Sequence, residues 1–185
     1  MSRSLTTAGV EVRSSSRTST STRNPRPTPG HPHSTRKSHI SHLFDGMKSK
    51  DQNYIAEGLG IVIDKAQLSK NQIHKIKKRS PLASWLEQLT IIRNSCAHHS
   101  RVWNKSFVPA PTTPLKTMPA FKDLPDGQSE RIFGAIVVMS FLLRVTSPGT
   151  TWPDKVAQLF HSEFLTNPLV NPGSLGIPAN WSGQF

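Results

Sequence analysis

The sequence has little of three things that would point to common classes of protein: cysteine, acidic side chains and long apolar runs. Its 185 residues contain one cysteine, Cys96, which excludes a disulfide framework within the chain and a zinc site built from cysteines alone. The longest apolar run, residues 132–143, lies between Arg131 and Arg144 and is shorter than the ~18 residues of a membrane-spanning helix. The basic N-terminus also lacks the apolar core of a secretory signal, so we expect a cytoplasmic protein without a membrane segment.

Several motifs of well-known enzymes are missing as well. The sequence contains no GxxxxGK[ST] loop for nucleotide phosphates, no HExxH metal motif and no GxSxG nucleophile motif. Asp and Glu number only 11 and are scattered along the chain, which argues against a nuclease that uses two metal ions. We therefore expect neither a metal nor a cofactor.

What the sequence has in excess is positive charge. Lys and Arg number 23, and the formal net charge is +12. Residues 1–50 carry nine basic and two acidic side chains, and residues 13–41 are mostly Ser, Thr, Arg, Pro and His without apolar periodicity. Such a segment buries too little apolar surface to offset the entropy lost on ordering, so we predict a disordered basic arm over residues 1–50. The charge favours an anionic partner, of which nucleic acid is the commonest.

The role of this arm has three interpretations at this point. It could hold phosphates through its basic side chains, with a strong dependence on salt. It could equally be a solvated tail without a specific role. Its histidines suggest a metal site as a third interpretation, although Pro and Ser flank them; they are His31, His33, His39 and His42.

From residue 51 onward the pattern becomes that of a helical protein. Residues 53–59 predict a short helix that ends at Gly60, and residues 69–78 predict a basic one. A longer helix begins at Ser80, a residue that can cap it, and Pro81 suits its first position. Its apolar residues recur at three- and four-residue steps, which predicts one buried face: Leu82, Trp85, Leu86, Leu89, Ile92 and Cys96.

The second half of the chain predicts two more helices. Residues 107–125 contain five prolines and predict an extended connection. Residues 129–145 are apolar on nearly all sides and should form the helix at the centre of the core. Thr151 should cap a further helix, and residues 167–181 predict a loop. The buried stripe of that further helix is expected to consist of Val156, Leu159, Phe160 and Phe164.

These elements predict an all-α fold, a small bundle of about four helices behind the arm. Two strongly apolar helices and one amphipathic helix make a thin core for residues 51–185. We therefore expect that a partner subunit completes the core, or that part of the domain is missing.

One stretch carries candidate chemistry, residues 93–101, with the sequence RNSCAHHSR. On a continuous helix, His98 lies four residues after Asn94 and Arg101 three after His98, so these side chains and Arg93 could cluster at the rim of the buried face. Arginine offers a planar pair of donors for a phosphate, and histidine transfers protons near neutral pH. Together they suit RNA cleavage in which the ribose 2′-OH attacks the adjacent phosphate.

The same residues allow structural explanations. Arg93 and His98 could simply belong to a solvated polar face. A zinc site formed by Cys96, His98 and His99 is a weaker alternative, because residues 96 and 98 point about 200° apart on a helix. Cys96 is expected to be a small buried residue, and Trp85 and Trp103 are expected to pack in the core, although Trp103 could also stack on a base.

Longer motifs reveal a family resemblance. The segment LTIIRNSCAHHSRVWN at residues 89–104 is similar to the signature of the Abi-like abortive-infection proteins of bacteria. Two other family features accompany it, the tripeptide SWL at residues 84–86 and the closing LGIPANW at residues 175–181. The resemblance covers about residues 52–181, including the proline-rich stretch after the central motif.

This resemblance implies a fold and an activity. The family belongs to the HEPN superfamily of helical domains, which is marked by an arginine followed after four to six residues by a histidine. Arg93 and His98 match this pattern, and His99 gives a second register. The implied activity is metal-independent RNA cleavage in phage defence, or RNA binding. Two copies usually form the site together, so a homodimer is expected.

The resemblance also implies roles for single residues. Arg93 would bind the scissile phosphate, His98 would transfer the proton, and Asn94 would orient them, with His99 as a possible substitute for His98. The RNA contacts would be extended by a further set: Arg101, Trp103 and Lys105.

The chain departs from the family at its N-terminus. Family members carry a helical half before the segment Ile55-Ala56-Glu57, where this chain has the arm. We therefore expect a truncated or altered member, with an arm over residues 1–50, an Abi-like HEPN-type domain over residues 51–181 and a tail over residues 182–185. Two alternatives to a nuclease remain, a non-catalytic nucleic-acid-binding module and an inactive remnant that acts through a protein partner.

Overall fold

Helices account for all of the regular structure in the part of the chain that can be described. The computed structural model describes residues 39–108, 112–122, 124 and 130–185, and all of them fall within one unit, Thr35–Phe185. The predicted arm up to residue 38, with His31 and His33, lies outside the described residues. So do residues 109–111, 123 and 125–129 of the predicted proline-rich connection.

The eight α-helices of the described residues are α1 (His39–Asp45), α2 (Ser49–Gly58), α3 (Lys70–Lys78), α4 (Pro81–Ala97), α5 (Thr112–Lys116), α6 (Ile132–Thr146), α7 (Trp152–Leu159) and α8 (Pro172–Leu175). Single 3-10 turns cover Lys65–Gln67 and Pro119–Phe121, and α7 continues into a π-helical turn, Phe160–Phe164. Neither β-strand nor β-bridge occurs in these described segments. The predicted all-α fold is confirmed.

The core is built around α4 and α6, which pack against each other, and α1 also packs against α4. No residue of 132–143 in α6 is exposed, as expected for the central helix. Trp85 of α4 meets Phe121 edge to face, with ring centroids 5.8 Å apart. The closing segment packs on the same core through Trp181, whose ring lies 5.6 Å from Phe133.

Helix α1 and the start of α2 lie inside residues 1–50, where the sequence predicts an arm. Phe44 is buried against the core, and the Gln52 side chain donates hydrogen bonds to the carbonyls of Phe44, at 2.9 Å, and of Asp45, at 3.2 Å. These bonds satisfy carbonyls at the end of α1 that no helical N–H can reach. The folded part of the chain therefore begins before residue 51.

Short elements also occur where loops were expected. Pro114 stands in the first turn of α5 and Pro172 in that of α8, where a missing N–H costs no helical hydrogen bond. Leu115, Phe121 and Leu175 are buried, so these segments contribute to the core. At the C-terminus, Phe185 of the predicted tail packs 5.2 Å from the Trp181 ring.

None of the helices in the described segments is long and apolar enough to cross a membrane.

Candidate functional site

The candidate residues lie at the C-terminal end of α4 and in the turn that follows it. The helix ends at Ala97, and His98 occupies the capping position, one residue beyond the helix. The His98 N–H still donates to the carbonyl of Asn94, at 3.0 Å, so helical spacing relates these two residues. Arg93 and His98 are exposed and Asn94 is half-buried, which leaves the predicted cluster open to a ligand.

A specific hydrogen-bond pattern closes this helix. The His99 N–H donates to the carbonyl of Cys96, at 3.0 Å, and the Ser100 N–H donates to that of Ser95, at 2.8 Å. This is a Schellman motif, in which the residue after the cap takes a left-handed conformation. That residue is His99, with φ of 51°.

Helix α2 ends with the same motif, but with a glycine in the critical place. The Gly60 N–H donates to Glu57 and the Ile61 N–H to Ala56, and φ of Gly60 is 71°. A left-handed conformation costs a residue with a Cβ about 1–2 kcal/mol, and glycine avoids that cost. The backbone is therefore strained at His99, within the candidate site, where strain often accompanies function.

Replacing His99 by glycine is expected to raise the free energy of unfolding by about 0.5–1 kcal/mol. Relief of the left-handed strain outweighs the larger entropy of glycine in the unfolded chain. Urea denaturation followed by circular dichroism measures the difference.

The matched control is Ala97→Gly, two residues earlier, where the backbone is helical. There glycine should lower the free energy of unfolding by about 0.5–1 kcal/mol. A destabilising effect of both substitutions would show that the His99 backbone carries no strain.

The structure corrects two expectations about this site. Arg101 does not lie on the helix, because the left-handed turn at His99 redirects the chain, so the three-residue spacing does not place it beside His98. Cys96 is exposed, whereas the sequence predicts a buried residue, because its position lies outside the face that α4 turns to the core. That face includes the polar residues Gln88 and Ser95 instead.

Phe107 holds the turn after α4 against that helix. This residue is buried, and its carbonyl accepts a hydrogen bond from the Gln88 side chain, at 3.0 Å. Its N–H donates to the carbonyl of Glu130, at 2.7 Å. The segment with Arg101 and Lys105 is thereby held at both ends, by the end of α4 and by Phe107.

Truncating Gln88 to alanine should lower the free energy of unfolding by about 1–3 kcal/mol, because the buried Phe107 carbonyl loses its side-chain donor. The turn should also become more mobile, which hydrogen exchange at residues 101–107 would detect. Thr117→Ala is a control, since its hydroxyl donates to Pro114 in a part-buried turn elsewhere. Unchanged exchange in the Gln88 variant would show that this bond does not hold the turn.

The other predicted RNA contacts differ in exposure. Arg101 and Lys105 are exposed, and the Lys105 ammonium lies 5.4 Å from the centroid of the Phe107 ring. Trp103 is half-buried and packs against the core, as its structural explanation predicts. Sequence reasoning missed Asn104, whose left-handed backbone (φ 49°) and hydrogen bond from Arg131, at 2.9 Å, shape the turn.

The charges at this end of α4 are positive: Arg93, Arg101 and Lys105. Within the segments that the structure describes, none of the three forms an ion pair. No three His, Cys, Asp or Glu side chains of these segments lie together in a way that could hold a metal ion. The arrangement can therefore bind an anion and offer it imidazole groups.

Fold and site together define an all-α protein that carries Arg93, Asn94 and His98 at the C-terminal end of α4. The family model of Abi-like proteins matches residues 34–104, which include the central motif. The match begins upstream of residue 52, close to the start of the folded unit, and it ends at the last residue of the central motif. Comparisons with curated proteins and with solved structures found no match.

Proposed function

We propose that this protein is an endoribonuclease of the abortive-infection type, which cleaves RNA without a metal ion. The observation that carries the proposal is the position of Arg93, Asn94 and His98 at one helix end, which closes through the strained His99, with Arg93 and His98 exposed. The Abi-like family match over this motif supports it. The cell that makes the protein would use it against phage infection.

The proposed reaction is an internal phosphoryl transfer. The 2′-hydroxyl of a ribose loses its proton and attacks the neighbouring phosphorus, and the bond to the 5′-oxygen of the next nucleotide breaks. That oxygen takes up a proton, and the products are a 2′,3′-cyclic phosphate and a 5′-hydroxyl. Arg93 neutralises the charge that grows on the phosphate oxygens, and His98 transfers a proton.

A single reaction needs both a base and an acid. In our proposal the second group is His99 of the same chain or His98 of a second copy. A homodimer is the second part of the proposal, and an apolar groove of about 370 Å³ beside α1 supports it. Its walls include Leu43, which is exposed, and Phe44 and Leu86, which belong to the core.

The direct test compares RNA with DNA of the same sequence, each incubated with purified protein in the presence of EDTA. We expect cleavage of the RNA alone, because DNA has no 2′-hydroxyl to attack the phosphate. Cleavage of both substrates would contradict the proposed chemistry. Binding of RNA without any cleavage would instead favour a non-catalytic module.

A further inference from the structure

A second positively charged site lies at the opposite end of α4 from the candidate active site. It is a cleft of about 500 Å³ between α2, the 3-10 turn Lys65–Gln67, and the junction of α3 with α4. Three exposed lysines line it, Lys65, Lys77 and Lys78, together with Arg79. The cations of this cleft come from parts of the chain outside the Arg-Asn-His motif.

Among the residues that the structure describes, only one of the four cations of the cleft is paired with acidic side chains. Arg79 forms ion pairs with two carboxylates, because its guanidinium lies 2.5 Å from Glu87 and 3.6 Å from Asp45. The three lysines form no ion pair within the described residues. Glu57 is the one other acidic residue of the described cleft lining, so an excess of positive charge faces the cleft.

The walls of the cleft combine these charges with apolar surface. Ile61, Ile63 and Ile76 contribute to the lining beside the lysines. The accessible lining of the cleft is mostly polar, which suits a charged ligand. Lysine ammonium groups bind phosphate as point charges, and the apolar wall would cover a sugar or a base.

We propose that this cleft binds the phosphate of a nucleotide. The nucleotide can be free in solution or part of an RNA strand, and the chemistry of recognition is the same. The α4 helix has 17 residues, so its two ends are about 24 Å apart at ~1.5 Å per residue. A strand that rises ~3.4 Å per nucleotide needs about seven nucleotides to reach both ends.

The test measures binding rather than cleavage, with three labelled probes: adenosine monophosphate, a 2′-O-methyl trinucleotide and a 2′-O-methyl 12-mer. The variant Lys65→Gln/Lys77→Gln/Lys78→Gln removes the cations of the cleft. The matched control, Lys70→Gln/Lys122→Gln/Lys155→Gln, removes the same charge from exposed lysines outside it. Fluorescence anisotropy at several salt concentrations gives the dissociation constants.

We expect the cleft variant to bind at least tenfold more weakly than the parent, and the control to change less than threefold. If the three lysines contact phosphates of one strand, the salt slope for the 12-mer should fall by about two, at ~0.7 per contact. If the cleft variant binds all three probes more weakly, a free nucleotide is a sufficient ligand for the cleft. If it binds only the 12-mer more weakly, the ligand is a nucleotide within an RNA strand. Equal losses in the two triple variants, or no binding of any probe by the parent, would overturn the proposal.

This result is independent of the proposed nuclease activity. If the parent fails to cleave RNA while the cleft variant alone loses binding, the nuclease proposal fails and the cleft proposal stands.

Discussion

Replacing His98 by alanine should lower the rate of RNA cleavage by about 100- to 10,000-fold, the usual contribution of a positioned acid or base. The side chain is exposed, so the free energy of unfolding should change by less than ~0.5 kcal/mol. Cleavage rates with saturating RNA, measured beside urea denaturation of the same preparations, separate the chemical effect from a folding defect.

Arg93 offers a companion test, because lysine keeps its charge but not its planar pair of donors. We expect Arg93→Ala to lose most activity and Arg93→Lys to recover only part of it. His42→Ala is the control, since His42 is an exposed histidine on α1 and outside the cluster. A His98 variant that cleaves RNA as fast as the His42 variant would exclude His98 from proton transfer.

The second large effect is expected from Trp85, which is 1% exposed and packs edge to face on Phe121. Truncation to alanine should lower the free energy of unfolding by about 3–5 kcal/mol, from lost burial and the cavity left behind. This is a large share of the ~5–15 kcal/mol that holds a typical domain together. Urea denaturation at 25 °C measures the loss, and RNA cleavage should fall in parallel with the folded fraction.

Tyr54→Ala is the matched control, because Tyr54 is 79% exposed and its removal leaves no cavity. Its effect should lie within ~0.5 kcal/mol. If Trp85→Ala were no more destabilising than Tyr54→Ala, the claim that α4 packs at the centre of the core would be wrong. In our account, the Ser84-Trp85-Leu86 tripeptide therefore has a structural role.

Strong local signals located several helices. Ser69 begins α3 with a capping box, in which its hydroxyl accepts from the Gln72 N–H and the Gln72 side chain accepts from the Ser69 N–H. Gly60 ends α2 as predicted, and the apolar residues of 129–145 form the central helix α6. In each case one side chain or one uninterrupted apolar pattern determines where the helix lies or where it begins or ends, without help from distant parts of the chain.

Caps and buried stripes were less predictable. Ser80 and Thr151 stand at the capping positions of α4 and α7, but neither side chain makes a capping hydrogen bond. Leu159 is exposed although its spacing fits the stripe of α7. Which side of a helix is buried depends on the neighbours it meets, and a short stripe does not contain that information.

Helices α1, α5 and α8 were not predicted, because each has seven or fewer residues. So short a helix is unstable by itself and depends on tertiary contacts. Phe44, Leu115 and Leu175 supply those contacts by entering the core. Their spacing in the sequence does not reveal this burial.

The candidate site was predicted in part. Spacing correctly related Asn94 to His98, because the helical hydrogen bond between them persists into the cap. The end of α4 was missed, since histidine rather than glycine takes the left-handed position after the cap. Arg101 was therefore placed on a helix that had already ended.

The chemistry of the RNA ends tests the central claim most directly. RNA is incubated with the parent and with the Arg93→Ala/His98→Ala variant in EDTA, and the fragments are analysed by mass spectrometry. Our account predicts 2′,3′-cyclic phosphate and 5′-hydroxyl ends from the parent, and intact RNA from the folded double variant. Fragments with 3′-hydroxyl ends, or the same cyclic ends from both proteins, would contradict it.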